Sequence, residues 1–316
     1  MSIPRIADYS LPTSAELPTN KVDWTFDPAR AALLIHDMQE YFLDFWAADS
    51  VLIQRVVDNL KALRQFCHRS GIPVFYTAQP VDQKPEDRRL LNDMWGAGLN
   101  DHPERAAIVD ALAPTLQDTV LTKWRYSAFQ RSSLEVDMKS MGRDQLIIGG
   151  VYAHIGCMMT ACDAFMRDIQ PFFVADALAD FSREDHDMAL RYVAGRCGSV
   201  TTTQRIAPVV VSPAQLRAQV VALLDDDGDD VEDDDNLIDF GLDSIRMMNL
   251  AAQWNRGGHA VDFTLLAREP TLAACGLCCP RRCTAIPMTP RGHRHICHLQ
   301  RQRKEALGKG APIRSR

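Results

Sequence analysis

Three side chains that can exchange protons or hydrogen bonds, and one glycine, each follow a strand-like apolar run. They are Asp37 after residues 31–35, Gln79 after residues 72–77, Lys123 after residues 120–122 and Gly156 after residues 145–151. The carboxyl ends of parallel strands meet along one edge of a sheet, so these four residues are predicted to converge there. A carboxylic acid beside an ammonium group and an amide is suited to general acid–base catalysis.

The segment Val151–Thr160, VYAHIGCMMT, raises the alternative of nucleophilic catalysis because it contains Cys157. A reactive cysteine needs a partly exposed, electropositive site that favours its thiolate, whereas a buried cysteine is an inert packing residue. The local pattern alone leaves both interpretations open.

Ser244 is a second candidate for chemistry, in the stretch Phe240–Met248, FGLDSIRMM. A helical pattern continues through Ile245, Met248 and Ala252, so Ser244 is predicted to cap the start of a helix. The motif also resembles the phosphopantetheine attachment site of carrier proteins, in which Ser244 would carry 4′-phosphopantetheine. The free N–H groups and dipole of a helix N-terminus suit a phosphodiester. A plain helix cap is the alternative.

Apolar runs and helical patterns alternate through the first part of the chain. Residues 54–70 have helical spacing that stops at Gly71, and further helices are predicted around residues 160–168 and 183–194. The run Pro171–Val174 predicts another strand between the last two helices. This alternation predicts an α/β fold in which a parallel sheet is covered by helices on both faces.

The chain is predicted to contain two domains and an atypical tail. Residues 1–205 form the α/β domain, residues 206–213 (IAPVVVSP) a linker, and residues 214–274 a small all-α domain. Within the small domain a helix is predicted over residues 215–224, followed by an acidic loop over residues 225–235.

Composition is that of an ordinary globular protein, with 46% hydrophobic and 24% charged residues in 316. The first residues show no signal-peptide pattern, and no apolar stretch is long enough to cross a bilayer. We therefore expect a cytoplasmic protein with reduced cysteines and no membrane contact. His36, His154 and His186 match no metal-ligand spacing, so they are interpreted as structural. Because His36 and Asp37 are adjacent in a strand, their side chains should point to opposite faces.

Several separate motifs resemble the isochorismatase-like hydrolases, and more closely the bifunctional isochorismatase–aryl carrier proteins of catecholate siderophore synthesis. The resemblance runs from about Ile3 to Thr271, and the motifs occur in order. They read LLIHDMQEYF, YTAQP, LTKWRYSAF, GVYAHIGCMMTACDAFMRDI and, in the second domain, FGLDSIRMM. It implies a Rossmann-like three-layer first domain and a small helical carrier bundle.

The resemblance also identifies the position at which related amidases carry their nucleophile. Amidases of the superfamily use an Asp, a Lys and a Cys, and the pattern Thr160-Ala-x-Asp-Ala fixes the Cys position four residues before Thr160. That position is Gly156 here, so Cys157 falls one residue late and is interpreted as a packing residue. A non-proline cis peptide just before this turn is implied as well.

Roles for the other site residues follow from the same resemblance. Asp37 would be the general acid, Lys123 its partner, and Gln79 would orient the enolpyruvyl group or the water. The substrate pocket would be lined by Arg88, Trp95, Tyr126 and Tyr152, with Phe42 and Trp46 as its apolar wall. No metal is expected. An Arg can read a carboxylate with paired N–H donors, and aromatic rings pack against a flat carbocycle.

The implied reaction hydrolyses isochorismate to 2,3-dihydro-2,3-dihydroxybenzoate and pyruvate. Its vinyl ether is cleaved after protonation of the terminal methylene carbon, so a general acid is required and a covalent intermediate is not. Asp37 must then hold its proton near neutral pH, and we expect burial to raise its pKa. Lys123 opposes this, and a bound dicarboxylate substrate would offset Lys123.

The implied partners are a phosphopantetheinyl transferase, an aryl-adenylating ligase and a nonribosomal peptide synthetase, and a homodimer or higher homo-oligomer is expected. The carrier domain would hold 2,3-dihydroxybenzoate as a thioester. Two other interpretations stay open. One is a nicotinamidase-like cysteine amidohydrolase that uses Cys157, and the other is a carrier or scaffold without catalytic activity.

Residues 275–316 follow different compositional rules. Ten Lys/Arg and one acid give this tail a charge of +9, which leaves −15 on residues 1–274 of a chain with net charge −6. The codons GCC TGG TGG GCT CTG TTG TCC encode Ala-Trp-Trp-Ala-Leu-Leu-Ser. Loss of one G from the first TGG gives Ala-Cys-Gly-Leu-Cys-Cys-Pro, which is residues 274–280. We therefore predict that the sequence from Cys275 onward is out of frame.

A metal ribbon is the alternative for this tail, because its ligand types are suitable. The candidates are Cys275, Cys278, Cys279, Cys283, His293, His295, Cys297 and His298. The second half of this set lacks paired-knuckle spacing, which disfavours the ribbon. Nucleic-acid binding is also disfavoured because no aromatic residues interleave with the basic ones.

Overall fold

A computed structural model describes residues 5–208, 213–224, 231–232, 234–256 and 267–272. The predictions made for the tail from Cys275 onward lie outside the described residues. The chain divides into two compact units near residue 210.

The first unit is built on a six-stranded parallel sheet with the order β3-β2-β1-β4-β5-β6. The strands are β1 (Ala31–His36), β2 (Val74–Ala78), β3 (Thr119–Thr122), β4 (Gln145–Val151), β5 (Gln170–Ala179) and β6 (Ser199–Thr201). In the register of the central strands, Leu33 lies beside both Val74 and Ile147. Strand β1 is therefore paired on both sides, and it carries the candidate acid at its carboxyl end.

Helices cover both faces of this sheet. The longer ones are α1 (Val51–Arg69), α2 (Leu134–Ser140), α3 (Met158–Phe165) and α4 (Arg183–Arg196). Shorter helices are Glu40–Leu43, Pro85–Arg88, Leu91–Trp95 and Thr203–Ile206, and 3₁₀ turns are Gly98–Asp101, Pro103–Arg105 and Asp110–Leu112. The α1 side chains form one core layer, and side chains of α2, α3 and α4 form the other. The predicted α/β fold is confirmed.

The alternation of strand β1 explains the two layers. Leu33 and Ile35 pack into the layer that contains α1, whereas Ala32 and Leu34 pack into the layer that contains α3 and α4. Every residue of β1 is buried. This is why the strand reads as a continuous apolar run instead of an alternating one.

The second unit has a small apolar core of its own. Its described helices are α5 (Pro213–Val221) and α6 (Ser244–Arg256). The core side chains are Val220, Val231, Leu237, Leu242, Met247, Leu250, Ala251, Trp254 and Leu272. The N–H of Leu237 donates to the carbonyl of Pro270 at 2.7 Å, and the indole N–H of Trp254 donates to Gln219 at 2.7 Å.

Two residues assigned to the linker by composition pack elsewhere. Ile206 and Ala207 are buried in the core of the first unit. Among the described residues, no helix is both long and apolar enough to cross a membrane.

Candidate active site

Asp37 lies directly after the carboxyl end of β1 and is buried. Its backbone has a φ of 51°, a left-handed conformation that Asp tolerates better than most residues. The Thr77 hydroxyl, on β2, accepts a hydrogen bond from the Asp37 N–H at 3.0 Å and donates to Asp37 Oδ1 at 2.6 Å. The neighbouring strand thus fixes both the backbone and the carboxylate of Asp37.

Lys123 completes the predicted pair. Its Nζ donates to Asp37 Oδ2 at 2.7 Å, and both side chains are almost fully buried. The Lys123 N–H donates to the carbonyl of Ala78, which extends the β2–β3 pairing past the end of β3. The sheet therefore positions the cation, as the strand-end rule predicted.

The protonation state of Asp37 corrects an expectation. Burial by itself would raise the pKa of Asp37, but the charge of Lys123 and the hydrogen bonds from Lys123 and Thr77 outweigh it. The pKa of Asp37 is therefore held below its ordinary value, and the unliganded site contains a carboxylate. The predicted opposition of Lys123 is confirmed; burial is the largest single effect, and the lowering contributions outweigh it only together.

Gln79 is held at the cavity through its backbone. The buried side chain of Gln39 accepts from the Gln79 N–H at 2.7 Å and donates to the Gln79 carbonyl at 3.0 Å. This paired contact leaves the Gln79 side chain to face the cavity, where it is a lining residue. Gln39 was not predicted from the sequence.

The turn that follows β4 places Gly156. The Val151–Tyr152 peptide is cis, as the family resemblance implied, and Ala153–Cys157 forms one π-helical turn. The carbonyl of Gly156 accepts from the Thr160 hydroxyl at 2.7 Å, and Thr160 Oγ1 accepts from the N–H of Ala128 at 3.0 Å. These contacts give a physical role to the threonine four residues downstream.

Gly156 and Cys157 face different environments. Gly156 lines the cavity with Asp37 and Lys123. Cys157 is fully buried in the core layer that contains Leu34 and Ile148. Burial raises the pKa of Cys157 well above its ordinary value, so its thiol stays protonated.

One cavity brings together most of the predicted residues. Its lining residues are Asp37, Tyr41, Phe42, Gln79, Arg88, Leu91, Trp95, Lys123, Arg125, Tyr126, Val151, Tyr152, Ile155, Gly156 and Phe181. Trp46 does not line it and was predicted wrongly. It is buried behind Tyr152, with ring centroids 5.7 Å apart and nearly parallel planes. Tyr41, Leu91, Arg125, Val151, Ile155 and Phe181 were missed.

Hydrogen bonds and ring contacts connect the aromatic side chains around the cavity. The indole N–H of Trp95 donates to the Tyr126 hydroxyl at 2.8 Å. The Tyr152 hydroxyl donates to the carbonyl of Phe42 at 2.8 Å, and the ring centroids of Tyr152 and Phe181 lie 4.6 Å apart. The cavity wall is therefore fixed in place before any ligand arrives.

Two arginines line the cavity without contacting a carboxylate among the described residues. Arg88 is buried, donates to the carbonyl of Gly96 at 2.7 Å, and lies so close to Gly98 that a β-carbon there would meet its Nη2 at 2.4 Å. Arg125 donates to the backbone carbonyls of Asp87 and Trp124. With Asp37 and Lys123 paired, the cavity keeps two guanidinium groups that form no ion pair within 4.0 Å among the described residues, although the charge of Asp101 acts on Arg88.

The three histidines make protein contacts. His154 Nδ1 lies 2.6 Å from Asp180 Oδ1, and His186 Nδ1 lies 3.0 Å from the Tyr9 hydroxyl. His36 donates from Nδ1 to the carbonyl of Val151 at 2.8 Å. His36 and Asp37 do not point apart as predicted, because Asp37 leaves the strand geometry, and Nδ1 lies 3.7 Å from Oδ2. No metal-binding cluster of His, Cys, Asp or Glu occurs in the described part of the chain.

Ser244 is exposed at the first position of α6. The prediction that it caps this helix is wrong, because Asp243 Oδ1 accepts from the N–H groups of Ile245 and Arg246 at 2.8 and 2.7 Å. The hydroxyl of Ser244 is therefore not used by the helix. Ile245 and Met248 are exposed beside it, whereas Met247 is buried in the core.

Comparison with known proteins identifies both units. Residues 31–205 match the isochorismatase domain family, and residues 214–275 match the phosphopantetheine attachment site family. The chain is 58% identical over 276 residues to enterobactin synthase component B of Escherichia coli K12, which covers 87% of this chain and 96% of that protein. The chain belongs to the isochorismatase family.

A second relative in this family is the isochorismatase of Bacillus subtilis, 48% identical over 291 residues, covering 86% of this chain and 93% of that protein. Among solved structures, a cysteine hydrolase from Pseudomonas syringae pv. phaseolicola has a TM-score of 0.54 and 24% identity. It covers 60% of this chain and 97% of its own chain, and it shows the shared fold.

Proposed function

We propose that the first unit hydrolyses the enolpyruvyl ether of isochorismate to 2,3-dihydro-2,3-dihydroxybenzoate and pyruvate. The observation that carries this proposal is the buried Asp37–Lys123 pair, which faces a cavity whose nucleophile position is Gly156. Such a site can move a proton but cannot form a covalent intermediate through residue 156. The names of the two relatives, enterobactin synthase component B and isochorismatase, support the same reaction.

The substrate's two carboxylates suit the two arginines of the cavity. Arg88 and Arg125 both line the cavity, and a guanidinium group can bind a carboxylate through paired N–H donors. Two bound carboxylates also place negative charge near Asp37. Negative charge nearby favours the neutral form of a carboxyl group, so substrate binding raises the pKa of Asp37.

The protonated Asp37 then transfers its proton to the terminal methylene carbon of the enolpyruvyl group. The resulting oxocarbenium ion is captured by water, which returns a proton to Asp37 and leaves a hemiketal. The hemiketal collapses to pyruvate and the ring alcohol. Lys123 stabilises the Asp37 carboxylate that forms after the proton transfer.

The second unit acts as an aryl carrier. A phosphopantetheinyl transferase attaches 4′-phosphopantetheine to the exposed Ser244 hydroxyl, and an aryl-adenylating ligase loads 2,3-dihydroxybenzoate on the arm as a thioester. A nonribosomal peptide synthetase then takes the acyl group for siderophore assembly. The exposed side chains of Ile245 and Met248 beside Ser244 provide an apolar contact for these enzymes.

Two substitutions separate the activities. Asp37→Asn removes the proton donor and should lower pyruvate release by a factor of about 10² to 10⁴, while priming by coenzyme A and a transferase is retained. Ser244→Ala should abolish priming and leave pyruvate release unchanged. Pyruvate is followed with lactate dehydrogenase, and priming by the intact mass of the chain.

Cys157→Ala distinguishes the amidase alternative. The buried thiol of Cys157 takes no part in the proposed reaction, so this variant should retain pyruvate release. Loss of activity in folded Cys157→Ala would favour a thiol mechanism. Unchanged pyruvate release in Asp37→Asn, with priming at Ser244 retained, would overturn the role of Asp37 and favour a carrier or scaffold without catalytic activity.

A further inference from the structure

His36 and Gly156 occupy adjoining space. A β-carbon added to Gly156 would lie 2.2 Å from His36 Cε1 and 2.8 Å from Nε2. Carbon atoms in contact are normally separated by about 3.5–4.0 Å. The imidazole therefore fills the volume that any side chain at position 156 would need.

His36 is held firmly where it is. It is fully buried, it pairs with Thr77 and Gly150 as the last residue of β1, and its Nδ1–H donates to the carbonyl of Val151. Its own backbone is packed tightly, because a β-carbon on Gly150 would meet the His36 carbonyl oxygen at 2.1 Å. A side chain so enclosed cannot rotate away without leaving a buried carbonyl without its donor.

A side chain at position 156 would otherwise be well placed for chemistry. Gly156 lines the same cavity as Asp37 and Lys123. The His36 ring that occupies the side-chain position lies 3.7 Å from Asp37 Oδ2, so a thiol in place of that ring would lie beside an acid–base pair, which is the arrangement that activates a nucleophile. The cavity has the other groups for that chemistry, and the space for the thiol is taken by His36.

We propose that His36 determines the reaction class of this cavity by excluding every side chain, and hence every nucleophile, from position 156. Residues 36 and 156 then form one specificity-determining pair, and Gly156 is required by His36. This inference rests on the proposed function only in naming the reaction that remains. The exclusion itself is a property of the packing.

The pair predicts that a thiol is admitted only when both residues change. His36→Asn is the most selective partner substitution, because an Asn side chain reproduces the donor to the Val151 carbonyl and lacks the Cε1 and Nε2 atoms that meet residue 156. Gly156→Cys alone overpacks the site. Gly156→Cys with His36→Asn should fit.

Thermal unfolding of the full chain tests the packing. Gly156→Cys alone should lower the Tm of the first unit by roughly 3–10 °C, as expected for overpacking. The double variant should be more stable than the sum of the two single effects predicts. Gly195→Cys is the control, because Gly195 has open space around its β-carbon position and should shift Tm little. Additive shifts, or an unchanged Tm in Gly156→Cys, would overturn the proposal.

Alkylation with iodoacetamide tests the chemistry without using isochorismate. Tryptic peptide 144–167 contains position 156, the buried Cys157 and the half-buried Cys162. Fragmentation of the peptide assigns alkylation to each thiol, and Cys157 serves as the internal reference. In the double variant, the thiol at position 156 should be alkylated at least about tenfold faster than Cys157, as expected for an accessible thiol against a buried one. Equal alkylation at position 156 with His36 present and with His36→Asn would show that His36 is not the barrier. Because neither readout uses substrate, failure of the proposed hydrolysis would be seen separately in the pyruvate assay.

Discussion

At the residue scale, the central feature is that Asp37 is ionised before substrate binds and must be protonated to act. Burial raises the pKa of Asp37, but the charge of Lys123, the neighbouring His36 and the hydrogen bonds from Lys123 and Thr77 together outweigh it and keep this pKa low. A dicarboxylate in the cavity reverses the local balance of charge. Substrate binding is therefore expected to be accompanied by uptake of one proton.

Removing the hydroxyl of Thr77 tests this balance. Thr77→Val deletes a donor that stabilises the Asp37 carboxylate, so the pKa of Asp37 should rise. A general acid is active below its pKa, and the alkaline limb of the kcat profile, which reports the substrate complex, should move up by roughly one pH unit. Thr77→Ser keeps the donor and should leave the limb in place. A downward shift in Thr77→Val would contradict the assignment of Asp37 as the acid.

Arg125 lines the cavity but was not predicted from the sequence, and it is proposed to bind a substrate carboxylate. Arg125→Lys replaces a paired donor by a single point charge, so kcat/KM should fall by roughly 10- to 100-fold, mainly through a higher KM. Arg131→Lys is the matched control, because Arg131 contacts Asp87 at the surface and does not line the cavity. Steady-state pyruvate release measures both. Equal effects of the two substitutions would remove Arg125 from carboxylate binding.

The sequence predicted the residues of the site better than their contacts. Asp37, Lys123 and Gly156 follow recognisable apolar runs, and their convergence at one sheet edge was correct. Thr77 and Arg125 were missed although they stand inside the motifs YTAQP and LTKWRYSAF, because only the fold shows which way a side chain points. Trp46 was misplaced for the same reason, since an aromatic ring behind the wall and one in the wall give the same pattern.

At the element scale, strand prediction worked where burial makes the apolar run continuous, as in β1 and β4. Strand β6 was missed because three residues, Ser199–Thr201, carry no measurable periodicity. The π-helical turn at Ala153–Cys157 was equally hidden, since it depends on a contact with Asp180, which is distant in the sequence. Short elements depend on tertiary contacts that a local pattern does not contain.

The close approach of β1 and β4 gives a prediction about Gly150. Its φ is 122°, and a β-carbon at this position would lie 2.1 Å from the His36 carbonyl oxygen, which leaves no room for a side chain. Gly150→Ala should cost roughly 3 kcal/mol or more in the free energy of unfolding, or prevent folding. Gly142→Ala also starts from a positive φ but has open space around it, and should cost only about 1–2 kcal/mol. Urea titration compares the two, and equal costs would refute the steric argument.

At the scale of the whole molecule, buried histidines make the stability of the first unit depend on pH. Burial lowers the pKa of His36 and of His186 from 6.5 to about 4. Between these values the unfolded chain binds protons that the folded chain does not, so stability falls as pH falls. Each histidine contributes a slope of about 1.4 kcal/mol per pH unit. His154 acts in the opposite direction: burial lowers its pKa, but Asp180 more than offsets this and raises it.

Replacing His186 should reduce this dependence. His186→Asn keeps a polar group against the Tyr9 hydroxyl and removes one titrating imidazole. Between pH 6.5 and 4, His36 and His186 together lower the free energy of unfolding. In His186→Asn this joint contribution should be roughly halved. Tryptophan fluorescence in urea follows mainly the first unit, which holds Trp24, Trp46, Trp95 and Trp124, while Trp254 reports the second unit. An unchanged slope would assign the dependence to other groups.

The carrier unit gives the last prediction, which concerns the reading frame. Its described core ends at Leu272, close to the point where the phosphopantetheine attachment match ends at residue 275. Restoring one G in codon 275 replaces Cys-Gly-Leu-Cys-Cys-Pro by Trp-Trp-Ala-Leu-Leu-Ser and supplies large apolar side chains to a domain with little core to spare. In the restored chain we expect the free energy of unfolding of the second unit to rise by a few kcal/mol, and priming at Ser244 to be faster or more complete.

Differential calorimetry measures the stability of the second unit, and intact mass after incubation with coenzyme A and a transferase measures priming. Asp37-dependent pyruvate release should not change. If the present frame recurs in independently sequenced isolates, and the restored frame neither stabilises the second unit nor improves priming, the tail from Cys275 onward is the natural one.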